Sequence, residues 1–551
     1  MRALAIWVVL ALLVPNIVLS FTEEVSPLSA VVNILLPGGI FCLVMGAWLR
    51  TGKSVIASLP FMILAAFQLV LLYLYGGSVI AVDMFLNVVT TNVSEATELL
   101  ANLLDAMGVV IILYLTPIIW GIWGWIKKKD ITRRFRRKLL GCGIALTLAG
   151  MIATIGCHFS VRDYQFIHET FPVNAVSNLI EACHRYSETA HHAEISAGFT
   201  YRATHTNDSD EPEIYVFVIG ETSRGENWQL GGYERPTNPR LSQEDGVVFF
   251  RKSISESNTT HKSVPMLISY ASAENFDSIA HYKSIITAFR EAGFSTSFIS
   301  NQLPNRSFTE HFGNEADTTV YVASEDATHH PYDEAVFEQV DKLLGDTLRR
   351  KQLIVIHTYG SHFRYRDRYP DSFSHFTPDD AIDASLSNRD ELINAYDNTI
   401  LYVDYILSSL IDRLKATGYR AGLVYASDHG EDIFDDKRER FLHASPVPTY
   451  WQIHQASLVW LSPKLQGENP GMAEALAENS AKRISPQKSL FPTVMQMAAV
   501  SSPYVVDSLS LVSKNYNPAP MVYLNDLNKA LPIYRSGLTN EDRLKVSLLI
   551  Q

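Results

Sequence analysis

At 551 residues the chain is too long for one ordinary domain, and at least two units are expected. Its net charge of −12 argues against nucleic-acid binding. The four cysteines, Cys42, Cys142, Cys157 and Cys183, are too scattered for a disulfide framework.

The first apolar run, at roughly 2–20, is followed by others at 29–49, 54–82, 107–126 and 139–157. Each is about the ~20 residues needed to cross a hydrocarbon core. The first run ends in Leu19-Ser20-Phe21 without a small-x-small cleavage site, so it reads as a retained span and not as a signal peptide. If the five spans alternate, every Lys and Arg in 1–157 falls on one side: Arg2, Arg50, Lys53 and the block from Lys127 to Lys138. The outward loop 83–106 carries only acids among its charged residues. The positive-inside rule then predicts a cytoplasmic N-terminus, with everything after about residue 158 exported. Eleven cations against seven acids leave the membrane half at +4, so residues 158–551 carry −16.

Residues 158–212 read as a connector, with Pro172 as a breaker and an amphipathic stretch at 176–183 that could lie on a membrane surface. From 213 onward, short apolar runs alternate with helical patterns. Ile214–Ile219, Thr296–Ile299, Leu353–Ile356, Gly422–Ala426 and Ser457–Leu461 read as buried strands. Glu391–Leu414 reads as a helix with Asn388 positioned as its cap. This alternation predicts an α/β domain over 213–551 with a mostly parallel sheet, whose site lies at the carboxyl ends of its strands.

Two strand ends carry chemistry. Val218-Ile219-Gly220-Glu221-Thr222 delivers a carboxylate, and Val424-Tyr425-Ala426-Ser427-Asp428-His429-Gly430-Glu431 delivers Asp and His side by side. An acid after a strand is more often a helix cap, but two such clusters on one sheet point to a metal site of zinc type. Between them, Ser257-Asn258-Thr259-Thr260-His261-Lys262-Ser263-Val264-Pro265 offers a hydroxyl nucleophile, which would need a metal to lower its pKa. His362 and His443 follow strand-end motifs and gain weight only from that position.

At these residues a resemblance becomes specific. The segments VIGETSRGENWQLGGYERPTNP, NTTHKSVPM, HTYGSHFRYRDRYP, YDNTILYVDYI and YASDHGE resemble the phosphoethanolamine transferases of the alkaline phosphatase superfamily. That family modifies lipid A and includes the mobilised colistin-resistance enzymes, so a link to polymyxin resistance follows. The resemblance covers nearly the whole chain. It implies a five-helix transmembrane domain over 1–157, plus an alkaline-phosphatase/sulfatase-like α/β domain in the periplasm, anchored in a bacterial inner membrane. It also implies that Glu221, Thr260, Asp428 and His429 surround a catalytic zinc and that Thr260 becomes phosphorylated. His362 and His443 match family histidines near the substrate or a second zinc. Met84, Asn87, Thr91 and Glu95 resemble the family's periplasmic loop, and the last three, at i, i+4 and i+8, would line one helical stripe.

The implied partners are phosphatidylethanolamine as donor, lipid A or a related glycolipid as acceptor, and the membrane itself, with a monomer expected. Three departures concern acceptor choice more than reaction type. Ser257-Asn258 stands where a cysteine is common, Asp432-Ile433-Phe434-Asp435 replaces Ser-Leu-Gly-Glu, and Pro492 replaces a frequent His. The competing readings are a lipoteichoic-acid-type glycerol-phosphate transferase, opposed by GETSRGENWQLGGY, and a membrane sensor with a degenerate enzyme domain. A sulfatase activity is opposed by Met266-Leu267 after Ser263-Val264-Pro265, where an arginine is expected.

Overall fold

The computed structural model describes residues 1–23, 25–90, 103–161, 164–207, 209–324, 330–346 and 348–551. By internal contacts the chain forms two compact units. One runs from Met1 to Arg185, apart from residues 90–92, and the other from Tyr186 to Gln551.

The first unit is helical: α1 (Arg2–Thr22), α2 (Pro27–Gly46), α3 (Thr51–Ala57), α4 (Leu59–Tyr75), α5 (Val82–Thr90), α6 (Leu104–Val110), α7 (Thr116–Ile126), α8 (Arg133–Ser160) and most of α9 (Val173–Ala190). Among the described residues, four helical segments are long and apolar enough to cross a membrane, or five if the bent pair α3–α4 counts as one. The apolar run 54–82, expected as one span, is bent by 56° between α3 and α4. Pro60 explains the break, because its ring has no N–H to continue the ladder and is tolerated only in a first helical turn. The same run stops at Tyr75, where Gly76 takes a left-handed conformation at φ +71°. Helices α2 and α8 pack backbone to backbone. A Cβ on Gly39 would lie 2.5 Å from the Thr147 nitrogen, so only glycine permits this approach. A hydrogen bond of 3.1 Å from Asn16 to Asn33 joins α1 to α2.

The second unit is built on a seven-stranded sheet. Its strands in chain order are β1 (Glu213–Gly220), β2 (Val247–Phe249), β3 (Ser295–Ser300), β4 (Thr318–Tyr321), β5 (Lys351–His357), β6 (Arg420–Ser427) and β7 (Ser457–Leu461). The spatial order is β2-β7-β6-β1-β5-β3-β4. The five strands from β6 to β4 run parallel, while β7 pairs antiparallel with both β6 and β2. All five expected strands are present, and the two short edge strands β2 and β4 are additions.

Alternation along β1 explains the layering. Tyr215, Phe217 and Ile219 face one core, and Ile214, Val216 and Val218 face the other. Helix α10 (Thr260–Leu267) contributes Val264, Met266 and Leu267 to the first core. Helix α11 (Arg389–Thr417) covers the second with Leu392, Tyr396, Ile400, Val403, Leu407, Leu410 and Leu414. A parallel sheet covered on both faces is the expected three-layer architecture. Asn388 does occupy the N-cap position of α11, but its side chain caps nothing: Nδ2 donates to Asp383 instead.

After the sheet comes a small C-terminal assembly: a hairpin of β8 (Val522–Leu524) and β9 (Ala530–Pro532), then helix α13 (Asn540–Ile550). It packs on Ile254 and on α12 (Tyr450–Ile453) through Tyr523, Ile533, Leu538 and Val546.

Candidate active site

Strand register assembles the centre of the site. Gly220 of β1 lies opposite Ser427 of β6 in a parallel pair, so the next residues, Glu221 and Asp428, emerge side by side. The Asp428 N–H donates to the Gly220 carbonyl at 3.0 Å, extending the ladder by one bond. Thr260 opens α10 and brings its hydroxyl to the same point.

Four donor atoms then converge. Thr260 Oγ1 lies 3.3 Å from Glu221 Oε1 and 3.2 Å from His429 Nε2. His429 Nε2 lies 3.6 Å from Glu221 Oε1 and 3.0 Å from Asp428 Oδ2. Tetrahedral zinc with bonds of roughly 2.0–2.1 Å would hold its ligand atoms about 3.3 Å apart, so the spacing fits. The chemistry of the donors fits as well. Asp428 Oδ1 accepts the N–H groups of Thr222 and His429 at 3.0 and 2.8 Å, whereas the buried Oδ2 has no hydrogen-bond donor. His429 Nδ1 lies 2.9 Å from the Gly430 carbonyl, which can only accept, so the proton sits on Nδ1 and the Nε2 lone pair faces the cluster.

Electrostatics show the same demand for a cation. Burial, reinforced by the Asp428 charge, pushes the Glu221 carboxyl up to about 8. Burial also opposes the Asp428 charge, but His429 beside it holds that carboxyl well below the usual range. His429 is raised, because Asp428 outweighs its desolvation. Glu431 is raised by burial and eased by His443. Burial thus pushes Glu221 and Glu431 toward their neutral forms, a cost that a cation bound beside them would offset.

His443 belongs to this cluster. Its ligand atom lies within 4.8 Å of those of Glu221 and His429, its ring centre is 4.1 Å from that of His429, and its Nδ1 is 3.4 Å from Glu431 Oε2. His362 sits one ring further out, 6.3 Å from His443 and stacked on Tyr359 at 5.1 Å. Its Nδ1 bonds the Phe363 carbonyl at 2.6 Å, and desolvation together with Arg368 pushes its pKa down to about 3. Met84 and Asn87 lie on α5 in the first unit, where Met84 is buried and Asn87 half-buried. Thr91 and Glu95 lie outside the described residues.

Several supporting residues were not singled out from the sequence. Gln302, two residues past β3, donates from Nε2 to Glu221 Oε2 at 3.1 Å and to the Thr358 carbonyl at 3.0 Å. Thr222 takes φ +60°, unusual for a β-branched residue, and its hydroxyl donates to Glu221 Oε1 at 2.8 Å. Gly360 must be glycine: at φ +53° a Cβ would lie 2.8 Å from the Glu221 carbonyl. Arg224, Asn227, Tyr233 and Arg235, from the longest recognisable motif, hold no ligand position. Asn227 Nδ2, the Tyr233 hydroxyl and Arg235 Nη1 converge on buried Asp397 of α11 at 2.5, 2.9 and 2.8 Å. Arg224 pairs with Asp435 at 2.7 Å. That motif is largely a latch. The visible signal for Gln302 is only its position after a strand end.

A carboxylate–imidazole–hydroxyl cluster at the carboxyl edge of a parallel sheet, joined to a helical membrane unit, defines a membrane-anchored hydrolase or transferase of the sulfatase fold. The Sulfatase family model matches residues 213–500, and the model described as Phosphoethanolamine transferase EptA/EptB matches residues 35–185. The chain belongs to the sulfatase family, and its N-terminal part carries the further match to the phosphoethanolamine transferase model.

Phosphoethanolamine transferase EptA of Salmonella typhimurium is 28% identical over 434 residues, covering 74% of this chain and 78% of the relative. The integral membrane lipooligosaccharide phosphoethanolamine transferase A of Neisseria meningitidis superposes with a TM-score of 0.72 at 19% identity, covering 92% of this chain and 98% of that one. The periplasmic domain of EptC from Escherichia coli, in complex with zinc, gives a TM-score of 0.56 at 24% identity over 63% of this chain and 98% of that one. These two structures are alike in fold.

Proposed function

We propose that the chain moves phosphoethanolamine from phosphatidylethanolamine to lipid A or another envelope glycolipid, through a covalent intermediate on Thr260. The observation that carries this reading is the convergence of Thr260 Oγ1 with Glu221 and His429 beside the donorless Asp428 oxygen. Glu221, Asp428, His429 and Thr260 would hold zinc. When bound, zinc supplies positive charge that acidifies a hydroxyl and offsets charge on a transferring phosphoryl group.

In the first step Thr260 Oγ1 attacks phosphorus, the bond to the glycerol oxygen breaks, and diacylglycerol leaves after taking up a proton. In the second step an acceptor oxygen attacks the phosphothreonine, and Thr260 regains its hydroxyl. Burial and Arg368 hold His362 neutral, so it can accept a hydrogen bond that orients the acceptor's proton. His443, paired with Glu431, is placed to donate one to a leaving oxygen. Placement of Thr260 in the first turn of an eight-residue helix favours negative charge on the oxygen and on the incoming phosphoryl group. The charge distribution supports a cytoplasmic N-terminus and a periplasmic catalytic unit, where both lipid substrates share one membrane surface.

Thr260→Ala should lower transfer by at least about a thousandfold, since it removes the attacking atom itself. Mass spectrometry of lipid A from expressing cells reads the product, and peptide mapping locates trapped phosphoethanolamine. Trapping on Thr259 or Ser263 would overturn the assignment.

A further inference from the structure

The catalytic unit contains no cysteine between Tyr186 and Gln551, so every loop around the site is held without disulfides. The segment that presents Thr260 is tied on both sides of that residue to one short stretch of the C-terminal hairpin. The Tyr523 hydroxyl donates to Asn258 Oδ1 at 2.7 Å, and the Leu524 N–H donates to the Glu256 carbonyl at 2.7 Å. Beyond Thr260, Lys262 Nζ donates to the Asn525 carbonyl at 2.9 Å. Glu256, Asn258, Lys262 and Tyr523 are each at most 2% exposed, so water does not compete for these bonds.

Asn258 is a junction. Its Nδ2 donates to the Ser445 carbonyl at 2.8 Å and to Gln452 Oε1 at 2.6 Å, and its own carbonyl accepts the Ala444 N–H at 3.1 Å. The residue two before Thr260 is thereby fastened to the loop that carries His443. The C-terminal helix α13 holds that loop from its other end. Asp542 accepts from Arg438 Nη1 and Nη2 at 2.7 and 2.8 Å and from the Tyr450 N–H at 3.0 Å. The match to the sulfatase family ends at residue 500, so the partners Tyr523, Leu524, Asn525 and Asp542 come from beyond the shared catalytic frame, whereas the ties of Asn258 to Ala444, Ser445 and Gln452 lie within it.

We propose that Val522–Ile550 is a brace that fixes the Thr260 loop against the His443 loop, and that Tyr523 is a positioning residue acting through Asn258. An in-line attack needs the nucleophile and its proton-handling partner in register, and a loop without covalent ties must obtain that register from buried polar contacts. Tyr523 supplies one such contact and also fills the cluster with Ile254, Ile453 and Ile533. Its hydroxyl can therefore be deleted without emptying the core. The inference rests on Thr260 as nucleophile.

The test uses the full-length protein in detergent with a lipid donor. Tyr523→Phe, Asn258→Ala and the double variant are compared with Thr260→Ala, reading kcat, KM, bound zinc and melting midpoint. Tyr523→Phe should lower kcat about tenfold, leave KM within about twofold and zinc content at the wild-type value, and lower the melting midpoint by only a few degrees, the cost of one unpaired buried acceptor. The double variant should be no slower than Asn258→Ala alone, because the two share one path. Unchanged kcat in Tyr523→Phe, losses that multiply in the double variant, or a loss that tracks zinc content would each overturn the brace. Should Tyr523→Phe accumulate poorly, Lys262→Met cuts the other tie and is read by the same criteria. An active Thr260→Ala would instead sink the nucleophile assignment. An inactive Thr260→Ala beside a fully active Tyr523→Phe sinks the brace alone.

Discussion

Gln302 shows how much of the site lies in residues that make no chemistry of their own. Its amide bridges Glu221 Oε2 and the Thr358 carbonyl, so it fixes the angle at which a buried carboxylate faces the cluster. Without it, Glu221 Oε2 loses a donor in a place where unpaired oxygens are costly. Chelation should abolish transfer, and added zinc should restore it. Gln302→Ala should surrender its metal about tenfold more readily in a chelator titration, the usual weight of such an outer contact. Wild-type retention of zinc would make Gln302 a bystander, and restoration by manganese alone would favour the glycerol-phosphate reading. Thr222 belongs to the same class: its left-handed backbone turns one residue so that the N–H reaches Asp428 while the hydroxyl reaches Glu221.

Helix α11 carries buried acids on the face that meets the latch motif. Asp397 receives the latch, and about two turns further on Asp404 accepts the N–H groups of Arg240 and Leu241 at 3.0 and 2.9 Å. Burial pushes Asp404 up to about 6, the two backbone donors offsetting only part of the desolvation. The sign follows from linkage. A carboxyl with a raised folded pKa contributes fully below its unfolded value of about 4, and the contribution is lost as pH rises through 6. Asp404→Asn keeps an acceptor oxygen without that titration. Its melting midpoint relative to wild type should therefore climb between pH 4 and pH 7, and parallel profiles would show that Asp404 is not the source.

At this scale the sequence was most legible where an apolar run ends in a charged residue. β1 into Glu221 and β6 into Asp428-His429 stood out only as a pair, because either strand end alone reads more readily as a helix cap, and the resemblance supplied the ligand assignment. Strands β2 and β4 were not legible. They are three and four half-buried residues at sheet edges, too short for an alternation to register. Nor was the latch, since Asn227 and Asp397 are 170 positions apart and only the folded chain brings them together. Asn388 shows the converse failure, a capping residue in the capping position whose side chain found Asp383 a better partner.

The whole molecule divides its chemistry between a basic, apolar first half and an acidic second half, and the question at this scale is whether the membrane unit only anchors. Asn87, Thr91 and Glu95 argue that it does more. Their i, i+4, i+8 spacing in the sequence would line one stripe if the segment is helical, the charged residues of 83–106 are all acids, and a pure anchor has no use for such a stripe. A zwitterionic headgroup needs donors for its phosphate and a carboxylate for its ammonium, and an ion pair shielded from water is stronger than one in bulk solvent. Glu95 is the ammonium's natural partner in this proposal, with Asn87 and Thr91 as the donors. Glu95→Ala should weaken transfer from the lipid donor with little change in zinc content, since Glu221, Asp428 and His429 are untouched. The triple change of Asn87, Thr91 and Glu95 to Ala should weaken it further while sparing slow hydrolysis of a small soluble phosphodiester, which has no ammonium to place. Wild-type transfer by the triple variant would reduce the first half to an anchor after all.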